Sequence, residues 1–303
     1  MRPANGEQPV LEKLIHVISD DGYALAGCLF ESENRAADLA IVWVHGVSLG
    51  FAEPEYAAIG RAAARLGASF LSVETRGHNF GAWLRGPDGR TKLAGSAWEY
   101  LVEAPSDIGP WLRRARALGR RRVVMVGHGW GAAKIVYALA QSGTDGVDGV
   151  VCASSASLVR DQLDPTLVEE AARLTAAGNG WHLLPWGTRP GMAPNTISAE
   201  TYAMRARVHR ELYGSGGIPP ALSRIDVPIL AWFGDAEGRS EDSIQGFFGS
   251  MRRNAITAPS FQTAILTGGN YLYTGIETAV SGRIVAWAGS LGERAAGHQK
   301  SAR

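Results

Sequence analysis

Residues Gly127-His128-Gly129-Trp130-Gly131 follow an apolar run over 122–126 and precede a helical pattern over 132–140. A strand, a tight glycine-flanked turn and a helix in that order make a nucleophile elbow. Small outer residues permit the sharp turn, and the central residue is lifted above the sheet edge. The usual central residue is serine. Here it is Gly129, which has no side chain and can attack nothing. Glycine tolerates strained backbone conformations, so the turn survives without its chemistry.

A parallel sheet has to position this turn. Residues 11–19 and 23–30 alternate like a hairpin around Asp20-Asp21-Gly22. Leu39–Val44, Ser69–Val73, 122–126 and Gly149–Ala153 are continuous apolar runs, as strands covered on both faces should be. Helical patterns separate them over 54–66, 98–118 and 132–140. Residues 159–223 break the alternation with two helical patches, Pro165–Ala176 and Ala199–Tyr213, around aromatics, prolines and glycines. Strands over 227–233 and Phe261–Leu266, with helices over 241–252 and 277–291, resume and close the pattern.

The expected fold class is therefore α/β: a mostly parallel central sheet with helices on both faces and a helical lid insert. The expected organisation is a disordered N-terminus over 1–10, a core over 11–158 and 224–291, a lid over 159–223 and a flexible tail over 292–303. Ligands of open parallel sheets bind at the carboxyl ends of the strands. A pocket between sheet and lid follows.

Several segments resemble α/β-hydrolases. Val44-His45-Gly46 matches the turn that opens their oxyanion loop, and Glu74-Thr75-Arg76-Gly77-His78 matches a segment after the next strand. Leu183-Leu184-Pro185-Trp186-Gly187 and Ile197-Ser198-Ala199 look like the lid of a bacterial subgroup. Gly268-Gly269-Asn270-Tyr271-Leu272-Tyr273-Thr274-Gly275 looks like that subgroup's histidine loop, Gly-Ala-Asn-His-Ser-Tyr-Thr-Gly. The resemblance runs from about Leu11 to Leu291 and implies the α/β-hydrolase fold.

It also exposes a second departure, because the family histidine falls at Tyr271. No histidine lies between His209 and His298, and His298 is in the tail. The acid position is Glu237, with Asp235 on the same turn. The resemblance places backbone oxyanion donors at Val47 and Trp130. Losing serine or histidine from such a triad costs on the order of 10⁶ in kcat, while the oxyanion donors and binding retain roughly 10³–10⁴. The atypical epimerases of the bottromycin type resemble this chain in lacking a working triad.

Other residues compete for roles. Gly46-Val47-Ser48-Leu49-Gly50 reads as Gly-x-Ser-x-Gly, yet Pro54 delays its helix and no downstream histidine serves Ser48. Gly127-x-Gly129-x-x-Ala132 fits a loose dinucleotide fingerprint, but the next strand ends without an acid. His128 and His45 flank the expected pocket and are candidate bases, or structural hydrogen-bonders. Tyr271 is a candidate acid, or an aromatic filler. Ser48, Trp130, Trp181, Trp186 and Tyr202 are candidate pocket walls. Glu74 faces the ligand edge, pairs with Arg76 or caps a loop, and Asp107 reads as a surface or packing carboxylate.

The 303 residues carry 30 basic and 29 acidic groups. This balance implies neither nucleic acid nor an anionic membrane as partner. No apolar run is long enough to span a bilayer, and no signal peptide is apparent. Cys28 and Cys152 read as buried thiols of a cytoplasmic protein. No cofactor or metal site is expected. The expected partner is a small-molecule or peptide ligand, and a homodimer is compatible with the sequence. Three functions fit: a non-hydrolytic enzyme of the epimerase, isomerase, cyclase or lyase type, a non-catalytic binder or partner subunit, and a hydrolase that activates water with His128, Glu237 or Asp235.

Overall fold

A computed structural model describes residues 9–31, 33–159, 163–186 and 195–291. The expectations for residues 1–8, Gly187 and the 292–303 tail lie outside these residues.

Eight strands form one sheet: β1 (Leu11–Ile18), β2 (Ala24–Glu31), β3 (Leu39–Val44), β4 (Ser69–Val73), β7 (Arg122–His128), β8 (Gly149–Ala153), β11 (Ile229–Gly234) and β12 (Phe261–Leu266). Their spatial order is β1-β2-β4-β3-β7-β8-β11-β12. β1 and β2 pair antiparallel, as do β2 and β4, and every pair from β4 to β12 is parallel. β3, β4 and β8 are buried at every position, which is why their sequences are unbroken apolar runs rather than alternating ones.

Helices cover both faces. α1 (Pro54–Arg65) and α7 (Glu277–Ser290) pack on one, around Trp43, Phe70 and Trp287. α2 (Ala104–Arg116), α3 (Trp130–Ser142) and α6 (Glu241–Asn254) pack on the other, around Val42, Trp111 and Phe233. The expected helix over 98–118 is shorter than its pattern. Residues 101–103 form a 3₁₀ turn, and α2 begins at Ala104 with a proline in its first turn, where a missing N–H is harmless. Upstream, β5 (Ala82–Arg85) and β6 (Thr91–Ala94) pair as an unanticipated hairpin around Pro87-Asp88-Gly89.

The segment between β8 and β11 contains α4 (Pro165–Ala176), the hairpin β9 (Leu183–Trp186) with β10 (Asn195–Ser198), and α5 (Ala199–Tyr213). Asp164 caps α4 by accepting from the Thr166 and Leu167 N–H groups, and Ser198 caps α5 by accepting from Thr201. Leu174, Leu184, Ile197 and Tyr202 give this segment a core of its own. A backbone bond from Ser198 N–H to the Ala97 carbonyl, 2.8 Å, ties it to the body.

Candidate active site

β7 delivers the chain into the elbow. Gly129 sits at φ 54°, ψ −118°, a conformation open to glycine and strained for other residues. Its N–H donates to the Ala153 carbonyl at 2.8 Å, and its own carbonyl accepts from Ser157 Oγ at 2.8 Å. The flanking glycines are required by close packing. A Cβ on Gly127 would lie 2.4 Å from the Ala132 backbone, and one on Gly131 would lie 2.3 Å from the Val44 carbonyl oxygen.

A Cβ on Gly129 would meet something different: the hydroxyl of Tyr271, 2.1 Å away. The same hydroxyl lies 3.0 Å from a Cβ built on Gly46. The Tyr271 phenol thus reaches from the loop after β12 into the space between the elbow and the loop after β3, where a nucleophile's side chain would stand. The residue as a whole remains 40% exposed. Burial of the hydroxyl end, reinforced by the Glu237 charge, pushes the phenol up to about 12, so it is a neutral donor near pH 7. Among the described residues neither the Val47 nor the Trp130 N–H donates to a protein acceptor. These two donors follow Gly46 and Gly129, the residues the phenol approaches, and Val47 and Trp130 line the cavity while Tyr271 does not.

His128 is fully buried and has no nitrogen to spare. Its Nε2 lies 2.8 Å from the Tyr271 carbonyl, which can only accept, so Nε2 carries the proton. Nδ1 then accepts from the Tyr56 hydroxyl at 2.6 Å. Burial lowers its pKa to about 4. Of the two readings of His128, base or structural hydrogen-bonder, this geometry is that of the second: the imidazole ties Tyr271 and Tyr56 to the elbow and stays neutral. His45 is likewise enclosed, donating from Nδ1 to the Gly46 carbonyl at 2.8 Å and accepting at Nε2 from the Thr75 N–H at 3.2 Å. Burial holds it well below the usual range. It supports the oxyanion loop from behind and does not line the pocket.

Glu237 occupies the acid turn after β11. Its Oε1 accepts from the Gly234 N–H and from Ser154 Oγ, each at 2.6 Å. Ser154 accepts from Tyr273 at 2.5 Å, and Tyr273 accepts from Trp232 Nε1 at 3.0 Å. Oε2 is buried without a hydrogen-bond donor. Burial raises the Glu237 pKa. Asp235 caps the histidine loop instead, accepting from the Gly268 N–H at 2.8 Å.

A pocket opens between the elbow and the β8–β11 segment. Val47, Ser48, Trp130 and Trp186 line it. Trp181 and Tyr202 do not. Trp181 is exposed and packs on His182, while Tyr202 is buried in the segment's core and accepts from the Asp164 N–H. Ser48 has φ 58° and pairs with Ser96 Oγ at 2.7 Å, with no imidazole on it.

Two charged lining residues carry no sequence signal: Glu99 and Arg205. The Arg205 guanidinium lies between the indoles of Trp130 and Trp186, 4.4 and 4.2 Å from their centroids, and has further partners. Neither is near a recognisable motif, and only the chain's return over the sheet edge brings them together.

The remaining carboxylates are structural. Asp107 is buried and grips Arg76 at 2.7 Å, and Asp21 pairs with the same guanidinium at 2.8 Å. Glu74 therefore does not pair with Arg76. It accepts from the Ala26 N–H, and burial raises it to about 7. Among the described residues no group of three or more metal-ligating side chains comes together, and no helix is long and apolar enough to cross a membrane. Cys28 and Cys152 are both buried thiols.

Residues 41–271 match the family model described as "Alpha/beta hydrolase family". No curated protein matches in sequence. Solved structures share the fold. Est1E from Butyrivibrio proteoclasticus aligns at TM-score 0.57 and 15% identity over 90% of this chain and 96% of its own. DcsB in complex with its substrate analogue aligns at 0.65 and 14%, over 93% and 100%. The alpha/beta hydrolase GrgF from Penicillium sp. sh18 aligns at 0.61 and 14%, over 93% and 99%.

Proposed function

The chain belongs to the alpha/beta hydrolase family, and within it we propose a non-hydrolytic enzyme that moves protons on a small organic substrate. Epimerisation, isomerisation, cyclisation and lyase chemistry share that requirement. The observation that carries the reading is the Tyr271 hydroxyl standing where a side chain on residue 129 would be. An attacking serine has neither a residue to supply it nor room to stand.

What the pocket retains is charge stabilisation. The N–H groups of Val47 and Trp130 bind the oxygen of a substrate carbonyl as it becomes enolate- or alkoxide-like. One such donor is worth roughly 10²–10³ in kcat. The neutral Tyr271 phenol supplies a third donor beside them. The described residues between β8 and β11, 163–186 and 195–223, act as a lid that excludes water from this charge, with Trp186 and Arg205 facing the cavity. A cytoplasmic setting accords with the two buried thiols.

The test is incubation of the protein with an extract of its source cells in D₂O, followed by mass spectrometry. The reading expects a metabolite that gains deuterium or changes retention without the mass of added water, and loss of that change in Tyr271→Phe. Products whose masses together equal the substrate plus one water identify a hydrolase and overturn it. A ligand recovered unchanged identifies a binder and also overturns it.

A further inference from the structure

We propose that Glu99 is the proton-accepting residue of this pocket, an assignment that rests on the proton-transfer reading above. Tyr271 is a neutral phenol and so a donor, and the remaining titratable groups around the elbow are committed elsewhere. Both nitrogens of His128 and both of His45 are engaged in fully buried hydrogen bonds. Glu237 is enclosed behind Tyr273 and Ser154 and does not line the cavity. Ser48 and Ser96 bond to each other. Arg205 is a cation with no lone pair to offer.

Glu99 is 8% exposed and lines the cavity. Its Oε1 is anchored by Lys134 Nζ at 2.6 Å and by Thr75 Oγ1 at 3.4 Å. Lys134 is completely buried on α3, one turn beyond the elbow, and also donates to Thr75 Oγ1 at 2.8 Å. Oε2 has no protein donor among the described residues. This oxygen is not sealed inside the protein, so it is reachable from the cavity and open to a proton from the ligand. The chain makes room for the group at a specific point: a Cβ on Gly77 would lie 2.2 Å from either carboxylate oxygen. Lys134 neutralises the carboxylate, so its natural complement is an uncharged donor or an acidic C–H rather than an ammonium group.

The step balances without any co-reactant. A substrate carbonyl oxygen sits at the Val47 and Trp130 N–H groups. Glu99 Oε2 takes the proton from the adjacent carbon, the C–H electron pair becomes the carbon–carbon π bond, and the carbonyl π pair moves onto oxygen. Return of the proton to the same or the opposite face restores the carboxylate.

Nitrobenzisoxazole is a probe for a pocket base. Loss of its ring C–H proton breaks the N–O bond and releases a coloured cyanonitrophenolate, whose oxygen the N–H pair would stabilise. The wild-type protein is expected to accelerate this elimination by about 10²–10⁴-fold over buffer. Glu99→Gln keeps an acceptor for Lys134 and is expected to fall to the buffer rate with KM little changed. Glu99→Asp keeps the ion pair, retracts the base, and is expected to lower kcat at least ~10-fold. It carries the test if the Gln variant does not fold. Full activity in either folded variant overturns the assignment while leaving the proton-transfer reading in place. A wild-type rate equal to buffer overturns both.

Discussion

The Tyr271 hydroxyl stands 2.1 Å from the point a Cβ on Gly129 would occupy. The phenol fills the space that a side chain on residue 129 would need, and the Tyr271 carbonyl accepts from His128 Nε2–H at 2.8 Å.

That contact predicts a coupled pair. Gly129→Ala places a side chain at φ 54° and against the phenol, and should destabilise by about 1–3 kcal/mol in urea unfolding. Combined with Tyr271→Ala, the part due to collision should disappear, giving a coupling energy of about 0.5–3 kcal/mol. Additive losses would mean that the phenol yields freely.

The flanking glycines should be less forgiving. A side chain on Gly127 or Gly131 meets backbone atoms at 2.4 and 2.3 Å, which cannot rotate away. Gly131→Ala should lose more stability than Gly129→Ala, despite carrying no left-handed strain, and no substitution at Tyr271 should rescue it. Thermal midpoints of the three variants check the order.

How much of this was legible in the sequence follows from the range of the forces involved. β3 and β4 announced themselves because double-sided burial demands unbroken apolar runs. The elbow was readable because its strand, glycine-flanked turn and helix are contiguous in sequence. The role of His128 was not readable, since its partners Tyr56 and Tyr271 lie 72 and 143 residues away. Residues in the 98–118 pattern look amphipathic throughout, yet a 3₁₀ turn occupies 101–103 and the helix waits for Ala104. Trp181 and Trp186 are equally aromatic in sequence. Only the β9–β10 pairing turns Trp186 towards Arg205 and leaves Trp181 exposed.

Tyr56→Phe removes the donor to His128 Nδ1. A buried acceptor left unsatisfied costs about 1–3 kcal/mol, so a loss of that size is expected in chemical denaturation. A neutral result would mean that the imidazole is held by its Tyr271 bond alone.

Lys134→Met leaves the Glu99 carboxylate buried without its cation. Breaking one side of a buried pair costs about 3–5 kcal/mol. The double variant Lys134→Met/Glu99→Gln should recover much of that loss, and a double variant no more stable than Lys134→Met would refute the pairing.

Burial raises Glu74 from 4.5 to about 7. The folded state therefore binds its proton more tightly than the unfolded chain does. The resulting contribution to stability is fully present below pH 4.5 and is lost as pH rises through about 7. Glu74→Gln keeps an acceptor for Ala26 without ionising. Relative to wild type it should gain up to about 3 kcal/mol at pH 8 and nothing near pH 4. Urea unfolding at the two pH values decides.

The central claim is that no serine in this chain acts as a nucleophile. Its most direct test is intact-protein mass spectrometry after incubation with a fluorophosphonate. The account predicts an unmodified mass for the wild-type protein. A single stoichiometric adduct, mapped to Ser48 or to any other serine, would contradict it.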